Sequence, residues 1–195
     1  MKHLKLALSI CLFLFSAKSL AMGFYLEPGL FYEKGDNKLD WPSPLGSSTG
    51  TTKGMGVDLK LGMHFTDMIF VAVDGTYSKP KFENSAPYDA DATSTTYAGI
   101  IGVQTPLVGL RFWAGYVFGG TLDPEETNGY DVKFEEAKGY KVGAGIKIFF
   151  VAVNLEYMDL KYDKSTVEKS PLPITIDNKL ENKVGMISVS FPFMF

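Results

Sequence analysis

Apolar side chains recur at every second position through most of this chain beyond its first two dozen residues, and no long window carries a helical period. In Gly185–Phe195 one face is Gly185, Ile187, Val189, Phe191, Phe193 and Phe195, while the other is Met186, Ser188, Ser190, Pro192 and Met194. The same alternation marks seven further segments, beginning near Phe24, Gly54, Ile69, Thr96, Val108, Tyr140 and Val151. Each has an apolar face and a face of glycine, small and charged residues. Asp159 interrupts the apolar face of the seventh, so a membrane portion is expected to stop there or a bulge to intervene. The pattern predicts an all-β chain of eight strands.

Eight such strands fit two architectures. A soluble sandwich or lipocalin-like barrel hides its apolar face. A membrane barrel turns that face to lipid and its polar face to a lumen. Three observations favour the membrane barrel. The glycine-rich face also carries nearly balanced charges: Glu27, Glu33, Asp58, Asp74 and Glu156 against Lys60, Arg111, Lys141 and Lys147. An eight-stranded lumen is just wide enough for side chains to fill, so small residues must share it with large ones. Next, Tyr32, Tyr77, Tyr97, Tyr116, Tyr140 and Tyr157 fall at one end of the apolar face, and Phe24, Phe65 and Phe195 at the other. Two aromatic girdles suit two membrane interfaces. Finally, short connections at Thr66-Asp67, Thr105-Pro106 and Phe149-Phe150 alternate with long ones, roughly Gly35 to Thr52, Lys79 to Ser94, Gly119 to Gly139 and Leu160 to Asn182. The third short connection contains no turn former; the face of the alternation switches there between Ile148 and Val151. The expectation is an eight-stranded antiparallel up-and-down transmembrane β-barrel.

The start of the chain gives the compartment. Lys2, His3 and Lys5 precede an apolar run from Leu6 to Phe15, and Ser19-Leu20-Ala21 supplies small residues for cleavage. Residues 1–21 read as a secretory signal peptide, with a barrel domain over 22–195. The run is shorter than the ~20 residues a spanning helix needs. Cys11, the one cysteine, lies in the segment to be removed, so neither a disulfide framework nor a thiolate metal site is expected. Three of the 19 Lys+Arg (Lys2, Lys5 and Lys18) go with it, leaving 16 against 22 Asp+Glu, a net charge near −6. With no basic tract, nucleic acid is not an expected partner.

The strand count, the alternation and the terminal run Ser190-Phe191-Pro192-Phe193-Met194-Phe195 resemble the small bacterial outer-membrane barrels, such as the OmpA transmembrane domain, OmpX and OmpW. The resemblance covers the whole chain after the signal and implies an integral outer-membrane protein among lipid and lipopolysaccharide. It implies a monomer, without cofactor or metal, and a role for Phe191, Phe193 and Phe195 as a signal to the barrel assembly machinery. The sequence ends on its last strand, so the peptidoglycan-binding domain of full-length OmpA is not expected.

Candidate chemistry lies on the inward face. Glu27, Lys60, Asp74, Arg111, Lys147 and Glu156 fall at middle or lower depth, and buried charges must pair. Glu27 is expected to meet Lys60, and Lys60 to meet Asp74, with Arg111 bridging carboxylates across the lumen. Their bland role is a structural ionic plug; their sharper one would set the selectivity of a pore. His64, the one histidine after the signal, points into the lumen beside a short turn. Barrel enzymes of this resemblance use an outer-rim histidine with a Ser or Asp partner, and G-x-S-x-G is absent, so no enzyme is expected. Asp123, Glu125, Glu126, Asp131, Glu135 and Glu136, with Lys133 and Lys138, form an acidic loop without EF-hand spacing, expected to be solvated. Trp41-Pro42-Ser43-Pro44-Leu45 and Pro171-Leu172-Pro173-Ile174 put apolar groups into two other long connections. The expected function is structural or surface interaction through external loops. The alternatives are a narrow OmpW-like channel for small solutes and a secreted lipocalin-like binder.

Overall fold

The computed structural model describes residues 23–40, 46–66, 68–85, 88–106, 108–127, 129, 131–169 and 179–195. The expected signal peptide, Asp67 of the first short turn, and both Pro-containing apolar segments, at 41–45 and 171–174, lie outside the described residues.

The described residues form nine β-strands: β1 Gly23–Asp40, β2 Ser47–His64, β3 Ile69–Asn84, β4 Tyr88–Gln104, β5 Leu110–Pro124, β6 Asp131–Ile148, β7 Val151–Lys169, β8 Lys179–Ser190 and the short β9 Phe193–Met194. Each of the eight long strands pairs antiparallel with its chain neighbours, and β1 pairs with both β2 and β8, so the sheet closes on itself. Closure leaves no free edge among the eight. β9 continues the last strand beyond Pro192 and pairs with Tyr25 and Leu26 at the start of β1. Phe195 exchanges two backbone hydrogen bonds with Phe24 there, each of 3.0 Å.

Burial alternates along β1 as it does in the sequence: Tyr25, Glu27, Gly29, Phe31 and Glu33 are hidden, while Phe24, Leu30 and Tyr32 are exposed. The exposed apolar band runs around the whole ring, through Leu59 at 41%, Val73 at 54%, Ile101 at 59% and Leu155 at 63%. So continuous an apolar surface requires hydrocarbon around it. From Phe24 to Tyr32, β1 has the length of a tilted crossing strand, about 9 residues. The six expected tyrosines are all exposed at one edge of the band. Tyr116 and Tyr140 touch edge to face, ring centroids 5.7 Å apart.

The three short turns and the chain end share the other edge. Thr66 Oγ1 accepts from the backbone N–H of Met68 at 3.1 Å and of Ile69 at 3.0 Å, fixing the first turn. Gly109 supplies a positive φ of 67° in the second. The third is a two-residue hairpin at Phe149-Phe150 between paired Ile148 and Val151, with Phe149 itself at φ 56°. A hairpin this tight requires φ > 0 at its first central residue, and here a phenylalanine takes it.

The four long connections are mostly strand, which corrects the sequence expectation. β1 and β2 stay in register up to Asp40 opposite Ser47, and β3 and β4 up to Asn84 opposite Tyr88. β7 runs past Asp159 without a bulge, Asp159 pairing with Tyr140 and Lys183. Above the tyrosines the facing inverts: Lys34, Lys38, Lys81 and Lys161 point out, while Leu39, Phe82, Leu160, Tyr162 and Leu180 point in and are at most 6% exposed. Two irregularities bring β5 and β6 into this arrangement. At the first, Phe118 is an extra residue between Tyr97 opposite Gly119 and Ala98 opposite Val117. At the second, Glu136 takes φ 59° between the pairs Glu135–Lys164 and Ala137–Tyr162, with no change of register. The inward parity switches at both points, between Val117 and Leu122 on β5 and between Phe134 and Ala137 on β6, so that Leu122 and Phe134 enter the lumen. Phe134 then lies 6.4 Å from both Phe82 and Tyr162, centroid to centroid.

Candidate functional site: a charged lumen under an apolar cap

The lumen is filled in three tiers, each assembled because alternate residues of facing strands must share one narrow interior. Nearest the turns, Arg111 on β5 reaches straight across to Glu27 on β1. Its Nη1 donates to Glu27 Oε1 at 3.0 Å, and its Nη2 donates to Glu27 Oε2 at 2.6 Å and to the Tyr25 hydroxyl at 2.6 Å. Ser190 Oγ donates to the same carboxylate at 2.5 Å. A planar guanidinium suits such a fork. The rings of Trp113 and Phe70 lie 5.3 and 5.6 Å from its carbon. His64 packs beside this tier, 5.0 Å from the Tyr25 ring in an edge contact, with Nδ1 3.3 Å from the Thr66 carbonyl. It is a packed ring next to the turn.

Glycine makes room for these rings. A Cβ at Gly143 would run into the Trp113 indole, and one at Gly102 into the Phe70 ring.

The middle tier joins two ammonium groups to three carboxylates. Lys60 Nζ is 2.5 Å from Asp58, 3.1 Å from Glu156 and 3.8 Å from Asp74. Lys141 Nζ is 2.5 Å from Asp74 and 2.6 Å from Glu156. The contacts tie β2, β3, β6 and β7 together through the centre. Higher up, Ser78 donates to Glu33 at 2.6 Å, and the Thr76 and Thr96 hydroxyls meet at 2.6 Å. Phe82, Leu122, Phe134, Leu160, Tyr162 and Leu180 form an apolar cluster, the cap, at the top.

Of the six residues singled out in the sequence, Glu27 and Arg111 meet in the lower tier, while Lys60, Asp74 and Glu156 meet in the middle one. Lys147 joins neither: it is half-buried near the Phe149-Phe150 turn, and no carboxylate among the described residues forms an ion pair with it. Glu27 and Lys60 are opposite each other in the β1–β2 register, yet the Glu27 carboxylate turns to Arg111 instead. The fork satisfies both of its oxygens at once.

Sequence depth missed Lys141. Its backbone is beside Tyr140 at the outer edge of the band, above the depth at which the network was sought. Its flexible stem carries the ammonium down to Glu156, whose own strand position faces Gly143. Asp58, two residues from Lys60 on one strand face, completes the group.

The acidic segment also differs from expectation. Asp123, Asp131, Glu135 and Glu136 are on β5 and β6, with Glu125 and Glu126 between the two strands, and ion pairs form: Asp123 with Lys133 at 3.5 Å, Glu126 with Lys169 at 2.5 Å and Glu135 with Lys164 at 2.9 Å. No group of three or more metal-ligating side chains comes together among the described residues. Phe191, Phe193 and Phe195 all face outward at the turn edge, 37%, 42% and 76% exposed.

Comparison with known proteins gives this architecture its place. Residues 6–195 match the family model of the outer membrane protein beta-barrel domain. No curated protein matches the chain. Among solved structures, Neisserial surface protein A is similar at 16% identity and a TM-score of 0.50, covering 87% of this chain and 97% of that one. The outer membrane protein OprG from Pseudomonas aeruginosa is similar at 14% identity and a TM-score of 0.53, covering 88% and 96%. The outer membrane protease OmpT from Escherichia coli aligns at 8% identity and a TM-score of 0.42, over 91% and 99%. The first two share the fold. An integral membrane position replaces the reading as a secreted, lipocalin-like binder. The chain belongs to the outer-membrane protein β-barrel domain family: it is a small, eight-stranded barrel integral to the outer membrane.

Proposed function

We propose that this protein is a non-enzymatic, non-conducting barrel: a rigid anchor that raises four β-hairpins above the outer membrane for structural or surface-interaction roles. The observation that carries this reading is the burial of Lys60, Arg111 and Lys141, each at most 1% exposed, in one barrel whose top is closed by an apolar cluster. An ion crossing such a lumen would have to break charge-assisted hydrogen bonds in a low-dielectric interior and then pass Phe82, Phe134 and Leu180. Hydrated ions do neither readily. His64 packs at the turn edge against the Tyr25 ring and the Thr66 carbonyl, which supports a packing role for it and not a catalytic one.

Two further parts of the reading concern assembly. The closed ring, with no free edge among its long strands, supports a monomer. The outward row Phe191, Phe193 and Phe195 on the last strand is what the assembly machinery would read. Planar-bilayer recording of the purified, folded protein tests the central point. No conductance steps above baseline are expected; reproducible steps from wild-type protein would overturn the sealed lumen in favour of a channel.

A further inference from the structure

Above the tyrosine girdle the outside of the barrel is divided by charge. Among the described residues, the exposed and half-exposed side chains of β8, β1, β2 and β3 comprise seven lysines and four carboxylates there, a net charge of +3. Those of β4 to β7, with Glu125 and Glu126 between β5 and β6, comprise five lysines and eleven carboxylates, a net charge of −6. Each group of strands is consecutive in the ring, so each sign occupies one half of the circumference. Ion pairs inside a half, such as Lys53–Glu83 and Lys164–Glu135, are already contained in these totals. Register keeps like charges together. Lys53 is opposite Lys34 on β1 and Lys81 on β3. On the other half, the backbone N–H of Glu125 donates to the Asp91 carbonyl at 2.7 Å, which sets two acidic residues side by side. The halves attract where they meet: Lys81 pairs with Asp89 at one boundary, and Lys161 with Glu181 at the other. Both begin at one height, since Lys34 and Lys79 are two residues beyond Tyr32 and Tyr77, and Asp159 is two beyond Tyr157.

We propose that the two halves are complementary docking surfaces for a second copy of this chain, lining barrels up in the membrane in rows, basic half against acidic half. Charge is the first argument. Like charges opposed on one sheet face repel, and a neighbouring copy brings the opposite sign to each half. Complementary potentials of this kind draw two surfaces together and fix how they face. Height is the second. Interfacial tyrosines hold every barrel at the same depth, so two copies in one membrane meet half to half without tilting. Symmetry is the third: the faces differ and lie on opposite sides of the ring, so the contact is heterologous and repeats as an open row. Each ring closes its own sheet, so the barrel is complete as a monomer. Confinement to the membrane plane supplies the effective concentration that dilute detergent does not.

The test is energy transfer between dye-labelled barrels in vesicles of phosphatidylcholine, a lipid without net charge. The chain after the expected signal has no cysteine, so Met68→Cys, exposed at the turn edge, carries the donor or acceptor dye away from both halves. Barrels with native faces are expected to show more transfer than randomly placed barrels at the same density. That excess should vanish as salt rises from about 0.01 M to about 1 M, where the screening length shrinks from about 30 Å to about 3 Å. One variant carries Lys34→Glu and Lys79→Glu; a second carries Asp91→Lys, Asp131→Lys and Glu168→Lys. None of these positions forms an ion pair among the described residues. Each variant alone should fall to the random level. Mixed, the two should regain the excess, because the first keeps the acidic half and the second keeps the basic one. Heat-dependent gel mobility shows whether each variant is a folded barrel. Random transfer with native faces, an excess that survives salt, a folded variant that retains it alone, or a mixture without it would each overturn the proposal.

Discussion

Two lysines six residues apart on β6 illustrate how burial decides what a charge is worth. Lys141 is fully buried between the Asp74 and Glu156 carboxylates, whereas Lys147 is half-buried without an ion pair among the described residues. Removing one partner of a buried charge cluster strands the others, at a typical cost of about 3–5 kcal/mol. Lys141→Ala should therefore destabilise the barrel by about that amount, and Lys147→Gln by less than about 0.5 kcal/mol, as for an ordinary surface change. Urea unfolding of the refolded protein in lipid vesicles checks both; equal effects would mean that the middle tier is not dry. The inward charges could be read from the chain because period two separates faces without ambiguity. Their partners could not, since a lysine stem spans several levels of a narrow barrel and sequence gives a backbone depth only. Arg111 shows the same limit: its partner Glu27 is four strands away around the ring.

Among the elements, the outer hairpins were the least legible. Within the membrane the strands read apolar out and polar in, and above it they read the opposite way, so Phe82 between Lys81 and Glu83 looks like loop when lipid-facing strands are sought. In β5 and β6 the parity itself changes, at Phe118 and Glu136. The left-handed residue at Glu136 makes a specific prediction. Its left-handed backbone at φ 59° suits glycine better than an L side chain. Glu136→Gly should stabilise the protein by about 0.5–1 kcal/mol, and Glu136→Val should destabilise it by about 1–2 kcal/mol, by the same unfolding measurement. Deleting Glu136 should turn Phe134 out of the cap, seen as added binding of a hydrophobic dye. An unchanged dye signal in the folded deletion variant would contradict the role given to Glu136. The Phe149-Phe150 hairpin was found from the switch of face alone, because neither residue signals a turn and the strain at Phe149 is visible only in the backbone.

The whole molecule divides into a membrane ring with an ionic interior and an outer barrel with an apolar one. Outside, the second part is laced with exposed ion pairs. Hydrogen bonds from Lys53, Lys164 and Lys161 hold Glu83, Glu135 and Glu181 below the ordinary carboxylate value of 4.5. The lysines move the other way, above 10.5, chiefly through those same hydrogen bonds. A carboxylate with a depressed folded pKa lends stability that is present above its unfolded value and is lost as pH falls through the folded one. A lysine with a raised pKa lends stability that is lost as pH rises through its own. The outer hairpins should therefore be tightest between pH 4.5 and 10.5 and loosen below that window, while the buried lower barrel holds. Amide exchange by segment checks this, and added salt at neutral pH should mimic part of the acid effect. Faster exchange of the membrane strands before the hairpins would contradict it.

The account depends most on which face meets lipid, and tryptophan quenching reads this directly. In a variant with Trp41 replaced by phenylalanine, Trp113 is the one remaining tryptophan, 5% exposed beside Arg111 in the lumen. A second variant adds Val73→Trp, at a position 54% exposed in the apolar band. In bilayers of acyl-brominated lipid, the tryptophan at position 73 should be strongly quenched by the lipid and untouched by aqueous iodide, while Trp113 resists both. Iodide quenching at position 73, or stronger lipid quenching of Trp113 than of position 73, would show the barrel to be facing the wrong way.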